Sequence, residues 1–207
     1  MIRSVLLSSG LLFGAFAAQA EPFTFIALGD NPYGEPAVVN PPFEALIETI
    51  NARNPAFSVH IGDIKSGGTP CDDAMLTSQL NYMNSFSSAL IYTPGDNEWT
   101  DCHRENAGKF DPLERLSYLR ANFFADPTKS LGMAPIAVET QSVVMGDAFS
   151  TFVENSRFIK DEVMIVTAHV VGSNNNFEVR DPAAVAEFFE RDAANVAWLE
   201  NSFDAAI

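Results

Sequence analysis

Basic residues are scarce in this chain. Twelve Lys and Arg residues face 27 Asp and Glu among 207 residues, and the formal net charge at pH 7 is −15. So acidic a surface argues against nucleic acid and against an anionic membrane as partners. It also means that a substrate carrying phosphate needs a local cation to attract it, and a bound metal ion would supply that charge.

Cysteine is equally rare, since Cys71 and Cys102 are the only two. In an exported protein, an even pair is more often a disulfide than a metal site or a redox centre. We therefore predict that the two are bonded. The bridge would tie the loop after the second predicted strand to the loop after the third.

Long hydrophobic runs are confined to the N-terminus. Arg3 is followed by a mostly apolar stretch over residues 5–18 and by Ala18-Gln19-Ala20. This is the pattern of a secretory signal peptide covering residues 1–20, with cleavage after Ala20. No stretch is long enough for a typical membrane-spanning helix. We expect a secreted or periplasmic protein with no membrane partner after signal removal, and one domain over residues 21–207.

Three Gly-Asp pairs punctuate the first half of the chain. Asp30, Asp63 and Asp96 each follow a glycine, and they are separated by 63 − 30 = 33 and 96 − 63 = 33 residues. Each pair closes a strand-like run, and the segments between them can hold a helix and two loops. This is the spacing of βαβ units, whose ligand sites lie at the carboxyl ends of the strands. Converging carboxylates are costly unless a cation neutralises them, so the pattern predicts a metal site.

Apolar periodicity supplies the remaining elements and predicts an α/β fold. The predicted helices cover residues 43–51, about 72–85, 112–123 and the segment from Asp181-Pro182 onward, with loops at 36–42 and 172–176. The predicted strands cover residues 23–28, 57–61, 89–94, 136–139, 142–145, 149–154, 157–159 and 163–169. The spacing of the Gly-Asp pairs also equals the ankyrin period, but the T-P-L-H signature of ankyrin repeats is absent and we reject that reading.

The order of these motifs resembles the calcineurin-like metallophosphoesterases. That family reads D-x-H, then G-D-x-x, then G-N-H-[D/E], then a lone His, then G-H-x-H. Over residues 23–172, Gly62-Asp63-Ile64-Lys65 matches the second motif fully and His169 takes the place of the lone His. Pro32 replaces the first-motif His, and the third motif is altered to Gly95-Asp96-Asn97-Glu98. The closing G-H-x-H has no counterpart in this sequence.

The resemblance implies a four-layer αββα sandwich, incomplete at its C-terminus. It also implies hydrolysis of a small phosphate-ester substrate by a metal-bound hydroxide, with one or two divalent ions per chain. Asp63 would bridge the ions, Asp30 would bind the first, and Asp96 or Asn97 would bind the second together with His169. Mixed carboxylate and imidazole ligands suit Mn, Fe or Zn. Because the altered motifs leave few ligands, we expect at most one tightly bound ion.

Two residues are candidates for the proton transfer that the third-motif His performs in the family. Asn97 stands at that position but cannot donate a proton as imidazolium does. His103 lies six residues further along (103 − 97 = 6) and could take this role.

Simpler interpretations remain open for the same residues. Each aspartate alone could be a turn residue, since Asp is common after strands. His169 could be a core histidine, His60 is better explained by packing, and His103 by an exposed loop. At the level of function, the main rival is a catalytically impaired or non-enzymatic metal-binding relative of the family. A haloacid-dehalogenase-like phosphatase is disfavoured because the required D-x-D is absent after the first strand.

Overall fold

A computed structural model describes residues 22–207, so the predicted signal peptide lies outside the described residues. The first half of this region forms a parallel three-stranded sheet. Its strands are β1 (Phe25–Leu28), β2 (Phe57–His60) and β3 (Leu90–Tyr92), in the order β1-β2-β3. Val59 of the central strand lies opposite Ala27 on one side and Ile91 on the other. All three strands occur within the predicted runs, and the mixed α/β class is confirmed.

Three helices connect and follow these strands: α1 (Pro36–Arg53), α2 (Asp73–Met83) and α3 (Pro112–Phe123). Helix α2 is capped by Asp72, and helix α3 is capped by Asp111 with a proline at its first position. The prediction that residues 36–42 form a loop is wrong, because α1 begins at Pro36 and contains Pro41 and Pro42. Pro36 fits the first turn, and the burial of side chains further along α1 offsets the hydrogen bonds that the inner prolines cannot donate.

The second sheet is antiparallel and consists of β4 (Glu139–Thr140), β5 (Ser156–Lys160) and β6 (Val163–Val166). A two-residue turn joins β5 to β6, and both turn residues, Asp161 and Glu162, have positive φ. Of the predicted strand over 136–139, only Glu139 belongs to a strand, β4. The predicted strand over 163–169 ends at Val166.

Two further strand predictions in this region are wrong. Most of the predicted strand over 142–145 lies in the short helix α4 (Gln141–Val144), and the predicted strand over 149–154 is replaced by the last residue of a 3₁₀ turn at Asp147–Phe149 and by irregular backbone. The first residue of α4 makes a buried polar contact. The Gln141 amide donates to the carbonyl of Ala194 at 2.7 Å and accepts from Asn155 Nδ2 at 2.8 Å. These partners are distant in sequence, so local apolar spacing could not indicate them.

The chain ends in a short turn, α5 (Gly172–Asn175), and a long helix, α6 (Pro182–Ala205). Residues 172–176, which were predicted as a loop, contain this short turn, and most of its backbone is left-handed rather than α-helical. Ser173, Asn174, Asn175 and Asn176 all have left-handed backbone angles, with φ between 48° and 64°. No helix among residues 22–207 is long and apolar enough to cross a membrane.

Two apolar clusters hold the elements together. In the first, side chains of α1, α2 and α3 pack against β3 residues such as Leu90 and Tyr92. In the second, Phe57 and Ile91 of the first sheet meet Phe158 of the second sheet, so the two sheets face each other. Helix α6 contacts the second sheet through Trp198, whose Nε1 donates to the carbonyl of Thr167 at 3.0 Å.

The predicted disulfide between Cys71 and Cys102 is present, with the Cα atoms 5.7 Å apart. Both sulfur-bearing side chains are fully buried beside Ala107 and Phe110. The bridge joins the loop after β2 to the loop after β3. It therefore lies directly behind the carboxyl ends of the central strands.

Candidate active site

The three Gly-Asp pairs lie at the carboxyl ends of β1, β2 and β3, and their loops contact one another. The backbone N–H of Asp30 donates to the carbonyl of Gly62 at 3.2 Å. Asp30 and Asp63 both have left-handed backbone angles, with φ of 57° and 56°. Such angles are uncommon for residues other than Gly, and they cluster at sites where the surrounding structure enforces them.

The glycines of the second and third pairs are required by close packing. A Cβ on Gly95 would lie 2.1 Å from Asp63 Oδ1, and a Cβ on Gly62 would lie 2.1 Å from the backbone nitrogen of Gly95. Neither position has room for a side chain. The two glycines thus let the second and third loops approach each other closely enough for their aspartates to interact.

The Tyr33 hydroxyl connects the first loop to the others. It lies 2.9 Å from Asp63 Oδ2 and 3.2 Å from Asp30 Oδ1, and it accepts a hydrogen bond of 2.7 Å from Asn97 Nδ2. Burial, followed by the hydrogen bond to Asp63, raises the pKa of Tyr33 well above its ordinary value. The hydroxyl therefore stays protonated and can donate its one hydrogen to one carboxylate at a time.

Asp63 and Asp96 form the centre of the site. Burial raises the pKa of the Asp63 carboxyl, and the nearby negative charge of Asp96 raises it further, against the lowering effect of hydrogen bonds from the Asn97 backbone N–H and Tyr33. Within residues 22–207, no Lys, Arg or His nitrogen lies within 4.0 Å of an Asp30, Asp63 or Asp96 carboxylate oxygen. The side chains thus leave the negative charge of this centre uncompensated at contact distance.

Asp96 continues the acidic cluster towards a fourth carboxylate. Ser173 Oγ lies 2.7 Å from Asp96 Oδ2 and 2.8 Å from Asp101 Oδ1, so one hydroxyl lies between the two side chains. Asp101 is buried and pairs with Arg104 Nη2 at 2.6 Å. Burial raises the pKa of Asp101, and nearby Asp96 also raises it, while the Ser173 hydroxyl and Arg104 lower it. We define the carboxylate cluster as Asp30, Asp63, Asp96 and Asp101.

Glu98 supports the cluster from inside the protein. Its side chain is fully buried, and Oε1 accepts hydrogen bonds from the backbone N–H of Asp63 at 3.1 Å and of Gly95 at 2.7 Å. The Tyr92 hydroxyl donates to the same oxygen at 2.8 Å. Burial raises the pKa of Glu98 to about 7. This carboxyl group fixes the second loop against the third and so positions Asp63 relative to Asp96.

Lys65 provides a buried positive charge near the cluster. Its side chain is 1% exposed and its Nζ donates to the carbonyl of Ser66 at 3.2 Å. Burial lowers the pKa of Lys65 to about 8, while the charges of Glu98, Asp101 and Asp63 act in the opposite direction. The ammonium group is therefore close enough to these carboxylates to be influenced by them, without forming a contact ion pair.

His169 is fully buried at the end of the segment that follows β6. Its Nδ1 lies 3.0 Å from Glu154 Oε1, and its backbone N–H donates to Asn155 Oδ1 at 2.8 Å. Arg120 and His169 lower the pKa of Glu154 to about 2 despite its burial, so this carboxyl group is ionised and accepts the Nδ1 proton. Burial lowers the pKa of His169, which leaves the imidazole neutral with its lone pair on Nε2.

His169 Nε2 has no hydrogen-bond partner among the described residues, although it is buried. Buried polar atoms are nearly always satisfied, so a buried ring nitrogen without a partner needs an explanation, and a bound ligand is one. A histidine whose Nδ1–H is held by a carboxylate is also the usual arrangement of a metal-ligating imidazole. The side-chain ring of Trp99, 5.3 Å away between centroids, links His169 to the third loop.

The structure does not assemble the predicted ligands into one compact group. Over residues 22–207, no three His, Cys, Asp or Glu side chains are close enough together to hold a metal ion. Asp30, Asp63 and Asp96 are brought to one edge of the sheet, with Asn97 beside them. His169 lies behind the third loop, and the metal roles of all five residues stay predictions.

The other two histidines lie outside the cluster. His60 is buried in β2, where its ring packs near Tyr92 with 6.4 Å between centroids and its Nδ1 accepts from the backbone N–H of Gly62. His103 is exposed, and its Nδ1 lies 2.6 Å from the carbonyl of Thr100. It lines a cleft beside the carboxylate cluster. Its predicted role in proton transfer is not tested by this position.

Sequence patterns did not indicate Tyr33, Ser173 or Lys65 as residues of this site. Tyr33 and Ser173 reach the cluster through contacts 30 and 77 residues apart in sequence. For Ser173 and Tyr33 we find no local signal. Lys65 is part of the second motif, and its position two residues after Asp63 is a local signal that it belongs to the site.

Comparison with known proteins gives no relative for this chain. No family model, no curated protein and no solved structure matches it.

Proposed function

We propose that this chain is an exported, metal-dependent phosphoesterase that hydrolyses a small phosphate ester. The observation that carries the proposal is the pair of carboxylates at the centre of the site. Asp63 Oδ1 accepts from the backbone N–H of Asn97 at 3.2 Å, which places it directly beside Asp96, and no basic side chain of the described residues contacts either carboxylate. Two such groups need a proton or a cation between them at neutral pH, and a divalent ion satisfies this need.

The types of donor present suit a divalent cation, but no three of them among residues 22–207 lie close enough together to hold one as placed. Asp63 and Asp96 would hold the ion, and Asp30 and the unpartnered Nε2 of His169 would have to move towards them to complete the set. Asn97 turns its amide nitrogen towards Tyr33, which favours Asp96 over Asn97 as the ligand from the third loop. A set made of three carboxylates and one imidazole suits Mn, Fe or Zn. The altered first and third motifs point to one tightly bound ion rather than two.

The fold supports the proposal in a general way. Helices α1 to α3 pack on the first sheet, the two sheets face each other, and α6 packs on the second sheet. We propose that this order corresponds to the four-layer αββα sandwich of the calcineurin-like metallophosphoesterases. In that family the metal site lies at the carboxyl ends of the central strands, where the carboxylate cluster lies here.

A bound divalent ion would supply positive charge to the phosphoryl oxygens and lower the pKa of water. The protein's own groups would hold the substrate and the ligands in place. Tyr33, which stays protonated, orients Asp63 and Asn97. Asn97 donates to Tyr33 through Nδ2 and to Asp63 through its backbone N–H, so one amide hydrogen is left to stabilise a phosphoryl oxygen, and the side chain cannot protonate a leaving group. Lys65 adds a fixed positive charge behind the site.

The second candidate is a metal-binding relative without turnover. One observation favours it: neither Asn97 nor His103 is placed as a proton donor, since Asn97 has no acidic proton and His103 is exposed with its Nδ1 close to the carbonyl of Thr100. A substrate whose leaving group needs no protonation would still react. An aryl phosphate is such a substrate, so turnover of an aryl phosphate separates the two candidates.

The test begins with metal binding. Protein stripped with chelator is titrated with Mn²⁺ and Zn²⁺ by isothermal titration calorimetry, and we expect one site per chain. The isosteric change Asp63→Asn should weaken binding at least tenfold, because it removes the central charge. Asp147→Asn, at an exposed position, is the matched control and should leave binding unchanged. Equal binding by wild type and Asp63→Asn would remove the basis of the proposal.

Hydrolysis of p-nitrophenyl phosphate by the metal-loaded protein then decides between the two candidates. Metal-dependent turnover that is lost in Asp63→Asn supports the enzyme. Binding without turnover supports the non-enzymatic relative. Export is tested separately: the mature protein recovered from the periplasm or medium should begin at Glu21.

A further inference from the structure

A cleft opens beside the carboxylate cluster. It has a volume of about 630 Å³, and Asp101 and Ser173, which both belong to the surroundings of Asp96, line it. One wall is the segment from Thr100 to Arg104, and the other is formed by residues 173–178. A molecule whose phosphate lies at the carboxylate cluster can place its remaining part in this cleft.

The first wall is fixed by covalent and polar contacts. Thr100–His103 forms a 3₁₀ turn that contains Cys102, and the disulfide to Cys71 anchors this turn to the loop after β2. The Arg104 guanidinium is paired with the buried Asp101 at 2.6 Å. This wall is therefore preformed.

The second wall is fixed although its backbone is strained. Four consecutive non-glycine residues from Ser173 to Asn176 are left-handed, which L-residues disfavour. The fully buried Arg191 holds this conformation: its Nη1 donates to Asn175 Oδ1 at 2.6 Å, and its Nη2 donates to the carbonyl of Asn175 at 2.9 Å. Strain maintained by dedicated buried contacts is typical of binding sites.

The side chains that this wall presents have a specific chemistry. Phe177 lines the cleft, is 39% exposed, and is supported from behind by Phe188 and Phe189, with ring centroids 5.0 Å and 5.9 Å away. An aromatic ring held in place by other rings is a platform on which a planar group can stack. Asn174 lies next to it on the cleft and offers both a donor and an acceptor.

The cleft carries charges of both signs. Arg104 and Arg180 line it, and each is paired with a carboxylate of the same cleft, Arg104 with Asp101 at 2.6 Å and Arg180 with Glu178 at 2.9 Å. Arginine guanidinium planes also stack on flat π systems. The cleft thus combines a supported aromatic ring, a polar amide and two paired guanidinium groups beside Asp101 and Ser173.

We infer that this cleft binds the leaving group of the substrate and that this leaving group carries a planar ring, as nucleosides and aryl alcohols do. The inference rests on the proposed function in placing the phosphate at the carboxylate cluster. The ring stacks on Phe177, and Asn174 hydrogen-bonds to its edge. Phosphate esters of open-chain or saturated alcohols lack the stacking interaction and bind more weakly.

Binding, measured without turnover, tests the inference. Isothermal titration calorimetry in the presence of Mn²⁺ compares the hydrolysis-resistant phosphonate analogues of AMP and ribose 5-phosphate, which differ only in the base, and of phenyl phosphate and glycerol 3-phosphate. We expect each ring-bearing analogue to bind at least tenfold more tightly than its partner. A preference for AMP alone identifies a nucleoside site, whereas a preference for phenyl phosphate alone identifies a small aryl site. Equal affinities within both pairs would overturn the inference.

Variants of Phe177 show whether stacking is the cause. Phe177→Leu should abolish the preference for a ring while leaving ribose 5-phosphate binding unchanged, which also shows that the variant is folded. Phe177→Trp should retain the preference. Phe203→Ala, at an exposed position on α6 outside the cleft, is the control and should behave as wild type. A ring preference that persists in Phe177→Leu would contradict the assignment.

The same data separate this inference from the proposed function. Ring-dependent binding without hydrolysis of any ester in the presence of Mn²⁺ or Zn²⁺ would mean that the proposed function fails while the cleft assignment holds. Hydrolysis with equal KM for AMP and ribose 5-phosphate would mean that the proposed function holds while the cleft assignment fails.

Discussion

Removing the disulfide offers the most quantitative test of how this site is held. Cys71 and Cys102 are 31 residues apart, and the chain-entropy relation assigns about 3.5–4 kcal/mol to closing such a loop. The most direct comparison is between oxidised and reduced wild-type protein, because the two differ by the bond and two hydrogens alone. We expect the free energy of unfolding to fall by about 3.5–4 kcal/mol on reduction.

The double variant Cys71→Ala/Cys102→Ala should lose more. Both side chains are fully buried against Ala107 and Phe110, so removing the sulfur atoms leaves two small cavities. Each cavity of this size costs about 1 kcal/mol in addition to the entropy term. The double variant should therefore be less stable than the reduced wild type by about 2 kcal/mol.

Urea denaturation followed by tryptophan fluorescence measures both effects. Trp99 and Trp198 are fully buried in different regions, the third loop and helix α6, so their emission reports on the whole domain. Reduction needs prior unfolding, since neither sulfur is accessible to a reductant in the native protein. Coincident transitions seen by fluorescence and circular dichroism would justify two-state treatment.

A difference below about 1 kcal/mol between oxidised and reduced protein would refute the entropic reasoning. It would mean that the segment between the cysteines is already ordered in the unfolded state. Thiol titration of unreduced, denatured protein should find no free cysteine. Finding two would show that the bond does not form.

Two further predictions concern the buried charges. Arg191→Met should destabilise the protein by about 3–5 kcal/mol, because it leaves the left-handed segment and Glu187 without their partner. The control Arg180→Met, at an exposed position, should leave the free energy of unfolding unchanged within error, and urea denaturation at pH 7 measures both. Since the pKa of Glu154 is lowered to about 2 in the folded state from an ordinary value of 4.5, its stabilisation is present above pH 4.5 and is lost as the pH falls towards 2. The stability difference between wild type and Glu154→Gln should therefore shrink over this range by about 3 kcal/mol, and a difference that is independent of pH would contradict the assignment of an ionised Glu154.

The first sheet was predictable because its signals are local. Each strand is a short apolar run closed by Gly-Asp, and both features are contained in a few neighbouring residues. The second sheet was only partly predictable. Whether residues 141–144 form a strand or a helix depends on the amide of Gln141, which contacts Ala194 in α6. A contact across 53 residues leaves no trace in the local apolar pattern.

The start of α1 also shows that a local sequence signal can indicate the wrong element. Three prolines over residues 36–42 indicated a loop, since proline interrupts helices. The structure continues the helix through them because Phe43, Ile47 and Ile50 are buried together on the first sheet. Tertiary packing decided the element here, and the propensity of single residues did not.

The three Gly-Asp pairs are equivalent in sequence but not in structure, and this difference decides how the site should be tested. The Asp30 carboxylate is exposed and is linked to Asp63 through the Tyr33 hydroxyl, 3.2 Å away. The Asp96 carboxylate accepts from Ser173 Oγ at 2.7 Å, and its negative charge acts on Asp63. Asp63 alone is contacted from both neighbouring loops, by Tyr33 and by the backbone of Asn97. Loss of Asp63 should therefore cost more cation affinity than loss of either neighbour, and a ranking with Asp30 first would mean that the ion lies outside this cluster.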